Sequence, residues 1–144
     1  MSTLCIIALV VFMTDQATKF LLRHLMGQGS LALGPFGSIR IVAGRLWLQQ
    51  LGAARSAATM WGVWIAAAAT LVLMGPLVPS SAAFVGLLVG GSLSHAVESS
   101  LRGSVTDYVC LRFWPSFNLA DVALTTGVLG LIAQLLIAIY LKAL

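Results

Sequence analysis

The sequence predicts an all-α membrane protein, a bundle of four transmembrane helices with a small extramembrane β platform between the first two. Of its 144 residues, 60% are hydrophobic and only 8% are charged, whereas soluble domains have about 25% charged residues. The mean hydropathy is +1.02. Since a span needs about 20 apolar residues, this length suffices for four spans in a single membrane domain, residues 1–144.

Each predicted span is an apolar run bounded by turn residues. The spans are 4–22, 57–74, 82–97 and 118–141, and the extramembrane segments are 26–56 and 99–117. Within the first of these segments, residues 39–49 mix β-branched, aromatic and basic side chains, which indicates a short strand or hairpin. In the third span Gly86, Gly90 and Ser94 follow one another at four-residue spacing. Such a stripe of small residues predicts close approach of another helix.

The charge pattern indicates the surroundings of the protein. The net charge is +4, but no run of consecutive basic residues resembles a nucleic-acid-binding tract, so membrane phospholipids are the expected partners and nucleic acid is not. Arginines flank the first and third connections, whereas Lys142 lies on the opposite side. By the positive-inside rule alone, the long connections would be cytoplasmic.

Ionisable residues inside apolar runs are costly and therefore suggest partners or a function. Asp15 and Lys19 are four residues apart in the first span, so they share one helical face and can neutralise each other. They are interpreted as a structural ion pair, with catalysis as the alternative.

Asp107 and Asp121 form a second candidate pair. Pro115 lies between them and prevents one continuous helix, so a turn could fold one carboxylate towards the other. Two close carboxylates share a proton, and the ionised one can then activate water while the protonated one polarises a carbonyl. If Asn118 caps the last span, Asp121 lies in the first turn of that helix, where the helix dipole favours the ionised form. In the alternative, Asp121 only caps a helix and Asp107 lies in a solvated turn.

The motifs around these aspartates resemble those of a known family. GSVTDY at 103–108 and WPSFNLAD at 114–121 are similar to the paired C-terminal motifs of the lipoprotein signal peptidases, signal peptidase II. DQATK at 15–19 is similar to that family's N-terminal motif, with Asp15 and Lys19 in supporting positions. The resemblance implies an aspartic endopeptidase that cuts signal peptides before a diacylglyceryl-modified cysteine. Asp107 and Asp121 match the catalytic pair, and Asn118 matches a supporting polar residue.

The middle of the chain departs from the family pattern. QLGAARS at 50–56 stands where the family has Asn-x-Gly-Ala-Ala-Phe-Ser, and SHAVES at 94–99 stands where it has Gly-Asn-x-x-Asp-Arg. The resemblance implies substrate-binding or supporting roles for the residues at these positions, with Arg55 or Arg102 as candidates to replace the missing arginine. Those residues are Gln50, Gly52, Ala53, His95 and Glu98. His95 is equally interpreted as a polar residue packed at a helix end.

The resemblance also implies the location of the protein, its substrate and its cofactor requirement. The protein would lie in the bacterial inner membrane with both termini cytoplasmic and the active site towards the periplasm, opposite to the charge count. It would act on diacylglyceryl-modified prolipoproteins with no cofactor and no metal, because water is the nucleophile. Two other interpretations remain: a non-catalytic relative that binds a lipidated or membrane peptide as a subunit of a larger complex, and a small transporter with an ion site at Asp15 and Lys19.

Overall fold

The computed structural model describes residues 2–27, 29–44, 57–74 and 80–143. These residues form a mostly helical chain with a small antiparallel sheet and a single 3₁₀ turn at Gly34–Phe36. The helices are α1 (Ser2–Met26), α2 (Ala57–Met74), α3 (Ala82–Arg102) and α4 (Leu119–Ala143). The strands are β1 (Ser30–Ala32), β2 (Gly37–Gly44) and β3 (Val105–Leu111).

Three helices in the described part of the chain are long and apolar enough to cross a membrane. They are α1, α3 and α4. Helix α2 has 18 residues, and its described apolar stretch, Trp61–Met74, is shorter than these three helices. The predicted number of four spans therefore stays a prediction. Large apolar side chains are exposed along α1 and α4, among them Leu9, Met13, Ile132 and Leu136, as expected of helices that face lipid.

Helix α3 is central, and α1 packs against it through the predicted stripe of small residues. A Cβ atom added at Gly86 would lie 2.8 Å from the Leu4 carbonyl oxygen, and one at Gly90 would lie 2.5 Å from that of Ala8. Both distances are shorter than van der Waals contact, so any larger residue would push the helices apart. The predicted close approach is confirmed. Because the contacts advance along both helices together, α1 and α3 run parallel.

Helix α4 packs antiparallel on another face of α3. A Cβ atom at Gly91 would lie 2.9 Å from the Ala120 carbonyl oxygen, near the start of α4, and one at Gly127 would lie 3.0 Å from that of Phe84, near the start of α3. The end of α3 thus meets the beginning of α4. In the connection after α3, Gly103 ends the helix with a left-handed φ of 71°, a conformation that glycine adopts without strain.

The sheet is larger than the sequence predicted. The platform was expected only in the segment between the first two spans, but its order is β1-β2-β3, so the third strand comes from the later segment, 99–117. Strands β2 and β3 are antiparallel, with Val42 opposite Asp107 and Gly44 opposite Val105. Helix α3 also continues to Arg102, beyond the predicted span end at 97. The sheet therefore lies at the end of the bundle where α1 and α3 stop and α4 starts.

Candidate active site

Asn118 directly precedes α4 and exchanges two hydrogen bonds with Asp121. The Asp121 backbone N–H donates to Asn118 Oδ1 at 3.0 Å, and the Asn118 backbone N–H donates to Asp121 Oδ2 at 2.9 Å. This arrangement is a capping box, in which residues three apart satisfy each other's free N–H groups. The predicted cap is confirmed, and it holds the Asp121 carboxylate at the N-terminus of α4.

The same asparagine contacts the other aspartate. Asn118 Nδ2 donates to Asp107 Oδ1 at 2.9 Å and to the Thr106 carbonyl oxygen at 3.2 Å. Asn118 is almost fully buried, at 1% exposure, and so joins β3 to α4. One side chain thus touches both aspartates. The alternative that placed Asp107 in a solvated turn is wrong, because Asp107 lies on strand β3 and pairs with Val42.

The environment of Asp107 favours its protonated form. Burial raises the pKa of Asp107, and the nearby Asp121 carboxylate raises it further, against hydrogen bonds from Asn118 and Ser116 that act in the opposite direction. The Ser116 hydroxyl donates to Asp107 Oδ2 at 3.3 Å. On the other side, a Cβ atom at Gly44 would lie 2.6 Å from Asp107 Oδ2. Only glycine at position 44 leaves this carboxylate its space.

Tyr108, next to Asp107 on β3, fixes the start of α4. Its side chain is buried, and its hydroxyl oxygen accepts the Leu119 backbone N–H at 3.0 Å. Burial raises the pKa of Tyr108 to about 12, so the phenol stays neutral near pH 7. It therefore satisfies one of the free N–H groups at the first turn of α4.

His95, on α3, lies beside Asn118 and Asp121. Its Nε2 atom lies 3.2 Å from Asn118 Oδ1 and 3.6 Å from Asp121 Oδ1. The imidazole is 12% exposed and the Asp121 carboxylate 37% exposed, so Asp121 is open to an approaching molecule while the ring is largely covered. The interpretation of His95 as a packed polar residue is thus incomplete, because its ring nitrogen faces Asp121.

A charge cluster on α1 and α3 consists of Asp15, Lys19, Arg23 and Glu98, of which all but Arg23 are almost fully buried. Lys19 Nζ is 2.7 Å from Asp15 Oδ2 and 2.8 Å from Glu98 Oε2, and Arg23 Nη2 pairs with Glu98 Oε1. The predicted pairing of Asp15 with Lys19 is confirmed. The cluster contains two acids and two bases, so its formal charges balance.

The charge cluster is bonded directly to the two elements that carry the aspartates. Asp15 Oδ1 accepts the Ala120 backbone N–H at 3.1 Å, one residue before Asp121. Glu98 Oε2 accepts the Thr106 backbone N–H at 3.1 Å, one residue before Asp107. Each acid of the cluster therefore holds the backbone immediately preceding one aspartate.

Arg23 is a charged site residue that the sequence analysis did not identify. Its Nη2 atom contacts both Glu98 and the Thr106 hydroxyl. The available signal was its spacing, since Asp15, Lys19 and Arg23 recur every four residues on one face of α1. Arg102, proposed as a replacement for the missing family arginine, is exposed at the end of α3. Gln50, Gly52, Ala53 and Arg55 lie outside the described residues.

Comparison with known proteins agrees with this architecture. The chain matches the sequence profile of the family described as signal peptidase (SPase) II over residues 7–137. It is 32% identical to a lipoprotein signal peptidase of Methylobacterium sp. (strain 4-46), covering 88% of this chain and 84% of that protein. It is also 32% identical to a lipoprotein signal peptidase of Pelotomaculum thermopropionicum, covering 86% and 85%.

The fold is also similar to solved structures. Two structures described as bacterial membrane enzymes, solved by the in meso method, superpose with TM-scores of 0.73 and 0.75 at 23% and 22% identity. The matches cover 99% and 96% of this chain, and 90% and 93% of those chains. At these identities the likeness concerns the fold alone. The profile match and the curated relatives show that this chain belongs to the signal peptidase II family.

Proposed function

We propose that this protein is a membrane-embedded aspartic endopeptidase that removes the signal peptides of diacylglyceryl-modified prolipoproteins, with Asp107 and Asp121 as its catalytic pair. The observation that carries the proposal is the Asn118 side chain, which accepts the Asp121 backbone N–H and donates to Asp107. Family membership supports the substrate class.

The two aspartates have different environments, which supports different roles. Asp121 lies at the N-terminus of α4, where the helix dipole favours a negative charge, and it acts as the base. Burial and the neighbouring carboxylate raise the pKa of Asp107, which favours the protonated form that the acid role requires. Pairs of carboxyl groups whose environments separate their proton affinities in this way divide base and acid roles between them.

Hydrolysis then proceeds without a covalent enzyme intermediate. Ionised Asp121 takes a proton from water as the water oxygen attacks the scissile carbonyl carbon, and protonated Asp107 donates its proton to the carbonyl oxygen. When the tetrahedral diol collapses, the C–N bond breaks and the leaving nitrogen takes a proton from Asp121, while a diol hydroxyl returns its proton to Asp107. Each carboxyl ends in its starting state.

The helix directions support a fourth span. Helices α1 and α3 run parallel, so the chain that connects them has to return to the opposite end of the bundle. Helix α2 is the described helix of that connection, and its 18 residues extend about 27 Å, close to the roughly 30 Å of a hydrocarbon core. Trp64 Nε1 of α2 donates to the Ser92 hydroxyl of α3 at 3.0 Å, which supports a position beside α3.

We place both termini in the cytoplasm and the aspartate pair towards the periplasm of the inner membrane. A reporter enzyme fused after Lys142 tests this orientation. A reporter that works only in the cytoplasm is the expected result. Function only in the periplasm would reverse the topology and agree with the arginine distribution instead.

The decisive experiment is cleavage of a diacylglyceryl-modified prolipoprotein by the purified protein in detergent. Asp107→Asn and Asp121→Asn each remove an ionisable group with little change of shape, and each is expected to lower the rate by at least about 100-fold. Substrate binding, measured separately by co-purification, should persist in both variants. The non-acylated prolipoprotein serves as the control substrate and should remain uncut.

The second candidate function is a non-catalytic relative that binds lipidated peptides within a larger complex. It is favoured by one observation, the replacement of the family's motif by SHAVES at 94–99. Retained binding without cleavage by the unaltered chain would support this candidate and reject the peptidase.

A further inference from the structure

His95 brings a third titratable side chain to the aspartate pair. The ring lies on α3 and its Nε2 atom is 3.6 Å from Asp121 Oδ1, within the range in which an imidazolium and a carboxylate stabilise each other. The same nitrogen is 3.2 Å from Asn118 Oδ1. Histidine is suited to such a position because it gains or loses its charge near neutral pH.

The hydrogen bonds of Asn118 determine which atom of its amide faces the histidine. Asn118 Nδ2 is occupied, since it donates to the Thr106 carbonyl oxygen and to Asp107 Oδ1. Asn118 Oδ1 accepts the Asp121 N–H and faces His95. An oxygen acceptor requires a donor opposite it, so His95 Nε2 carries a proton. In either protonation state of the ring, Asp121 therefore faces an N–H group.

The other charged groups around α3 are already engaged or exposed. On α1, Lys19 and Arg23 pair with Asp15 and with Glu98 of α3 itself. Arg102, also on α3, is exposed at the helix end, and residues 57–74 of α2 include no charged side chain. From β3, Asp107 is also within reach of the histidine, whose charge lowers the pKa of Asp107 against the larger effects of burial and of Asp121 that raise it. Within the described residues, His95 is the one basic side chain at ion-pair distance from Asp121, and Lys19 interacts with that carboxylate from farther away.

We propose that His95 is a positioning residue whose imidazolium form keeps Asp121 ionised, and thereby assigns the base role to Asp121 and the acid role to Asp107. The inference rests on the proposed peptidase function. In the mechanism above, Asp121 has to be ionised before water attacks. The His95 cation beside Asp121 keeps this carboxylate ionised at lower pH. The site therefore works in more acidic conditions than two aspartates alone would allow.

The first test is the pH dependence of kcat/KM for cleavage of the diacylglyceryl-modified prolipoprotein. His95→Gln retains an N–H donor of similar reach but cannot become charged. The acidic limb of the kcat/KM profile of this variant is expected to move to higher pH by about 1 unit. The value of kcat/KM at the optimum should change less. His24→Gln is the matched control, because His24 is exposed and stacks on Phe20, and its profile should superimpose on the wild type. A His95→Gln profile that also superimposes would overturn the inference.

The second test does not depend on cleavage. In protein labelled with ¹³C at histidine Cε1, the NMR titration midpoint of His95 is compared between the wild type and Asp121→Asn. Loss of the carboxylate should lower the midpoint by about 1 pH unit, whereas the midpoint of His24 should not move. An unchanged His95 midpoint would reject the coupling. If the wild type cleaves nothing at any pH, the proposed function fails, and this titration still decides whether His95 and Asp121 interact.

Discussion

Lys19 and Glu98 form an ion pair of 2.8 Å although their side chains are 0% and 1% exposed. They come from different helices, and Glu98 also accepts the Thr106 backbone N–H beside Asp107. A buried pair stabilises a fold only when further hydrogen bonds satisfy its remaining atoms. Glu98 has such a bond from Thr106, and Lys19 has a second ion pair with Asp15, so the pair connects helix packing to the position of the aspartates.

Lys19→Met should destabilise the protein strongly, because it leaves Asp15 and Glu98 buried with one cation fewer. Removing one member of a buried pair costs about 3 to 5 kcal/mol. The measurement is unfolding in detergent, followed by circular dichroism. Lys142→Met at the end of α4 is the control, because Lys142 is exposed. Equal stability of the two variants would show that the charge cluster does not support the fold.

Arg23→Met tests the residue identified only in the structure. Arg23 contacts Glu98 and the Thr106 hydroxyl, so we expect a loss of about 1.5 to 3 kcal/mol of stability and slower cleavage as β3 loosens. Arg102→Met, which removes an exposed guanidinium on α3, should change stability by less than about 0.5 kcal/mol. The reverse ranking of the two variants would make Arg102 the supporting arginine.

Substitutions of Asn118 separate the cap from the contact to Asp107. Asn118→Ser retains a good N-cap but lacks the amide that donates to Asp107, whereas Asn118→Ala loses both. Cleavage should fall in both variants. Both variants lose the buried bonds to β3, and the alanine variant should be less stable than the serine variant by about 1 kcal/mol because it also loses the cap. Thermal unfolding and initial rates measured on the same samples distinguish the two effects, and a fully active serine variant would contradict the bridging role.

Gly44→Ala should displace the Asp107 carboxylate, because the new methyl group would lie 2.6 Å from Asp107 Oδ2. A displacement of about 1 Å at a reacting group can cost about 100-fold in rate. The comparison is Gly62→Ala, since a Cβ atom at Gly62 would meet no atom within 4 Å. If the Gly44 and Gly62 variants cleave equally fast, the space beside Asp107 is not required.

The raised pKa of Asp107 predicts a pH-dependent stability. Between its ordinary value of 3.8 and its raised value in the folded protein, the folded state retains a proton that the unfolded state releases. The contribution is thus fully present below about pH 3.8 and is lost as pH rises through the folded value. The Asp107→Asn variant has no such loss. The melting temperature of the variant minus that of the wild type should therefore be more positive at pH 7 than at pH 4. A constant difference would contradict the shift.

Much of the site could be predicted from local sequence. The four-residue spacing of Asp15 and Lys19 places them on one helical face, and the Asn118 to Asp121 spacing specifies a capping box. Both relationships span one helical turn, so helical geometry alone determines them. The stripe of Gly86 and Gly90 was equally visible, because small residues in an apolar run have few other uses.

What the sequence could not show depends on contacts between distant segments. The sequence by itself determined the membrane character of the chain, the apolar runs, the cap of α4 and the pair on α1, because each follows from composition or helical periodicity. Only the tertiary structure decided that β3 joins β1 and β2, that Arg23 meets Glu98 across 75 residues, and that His95 faces Asp121. Those contacts arise from how helices and strands pack, and no local period in the sequence records them.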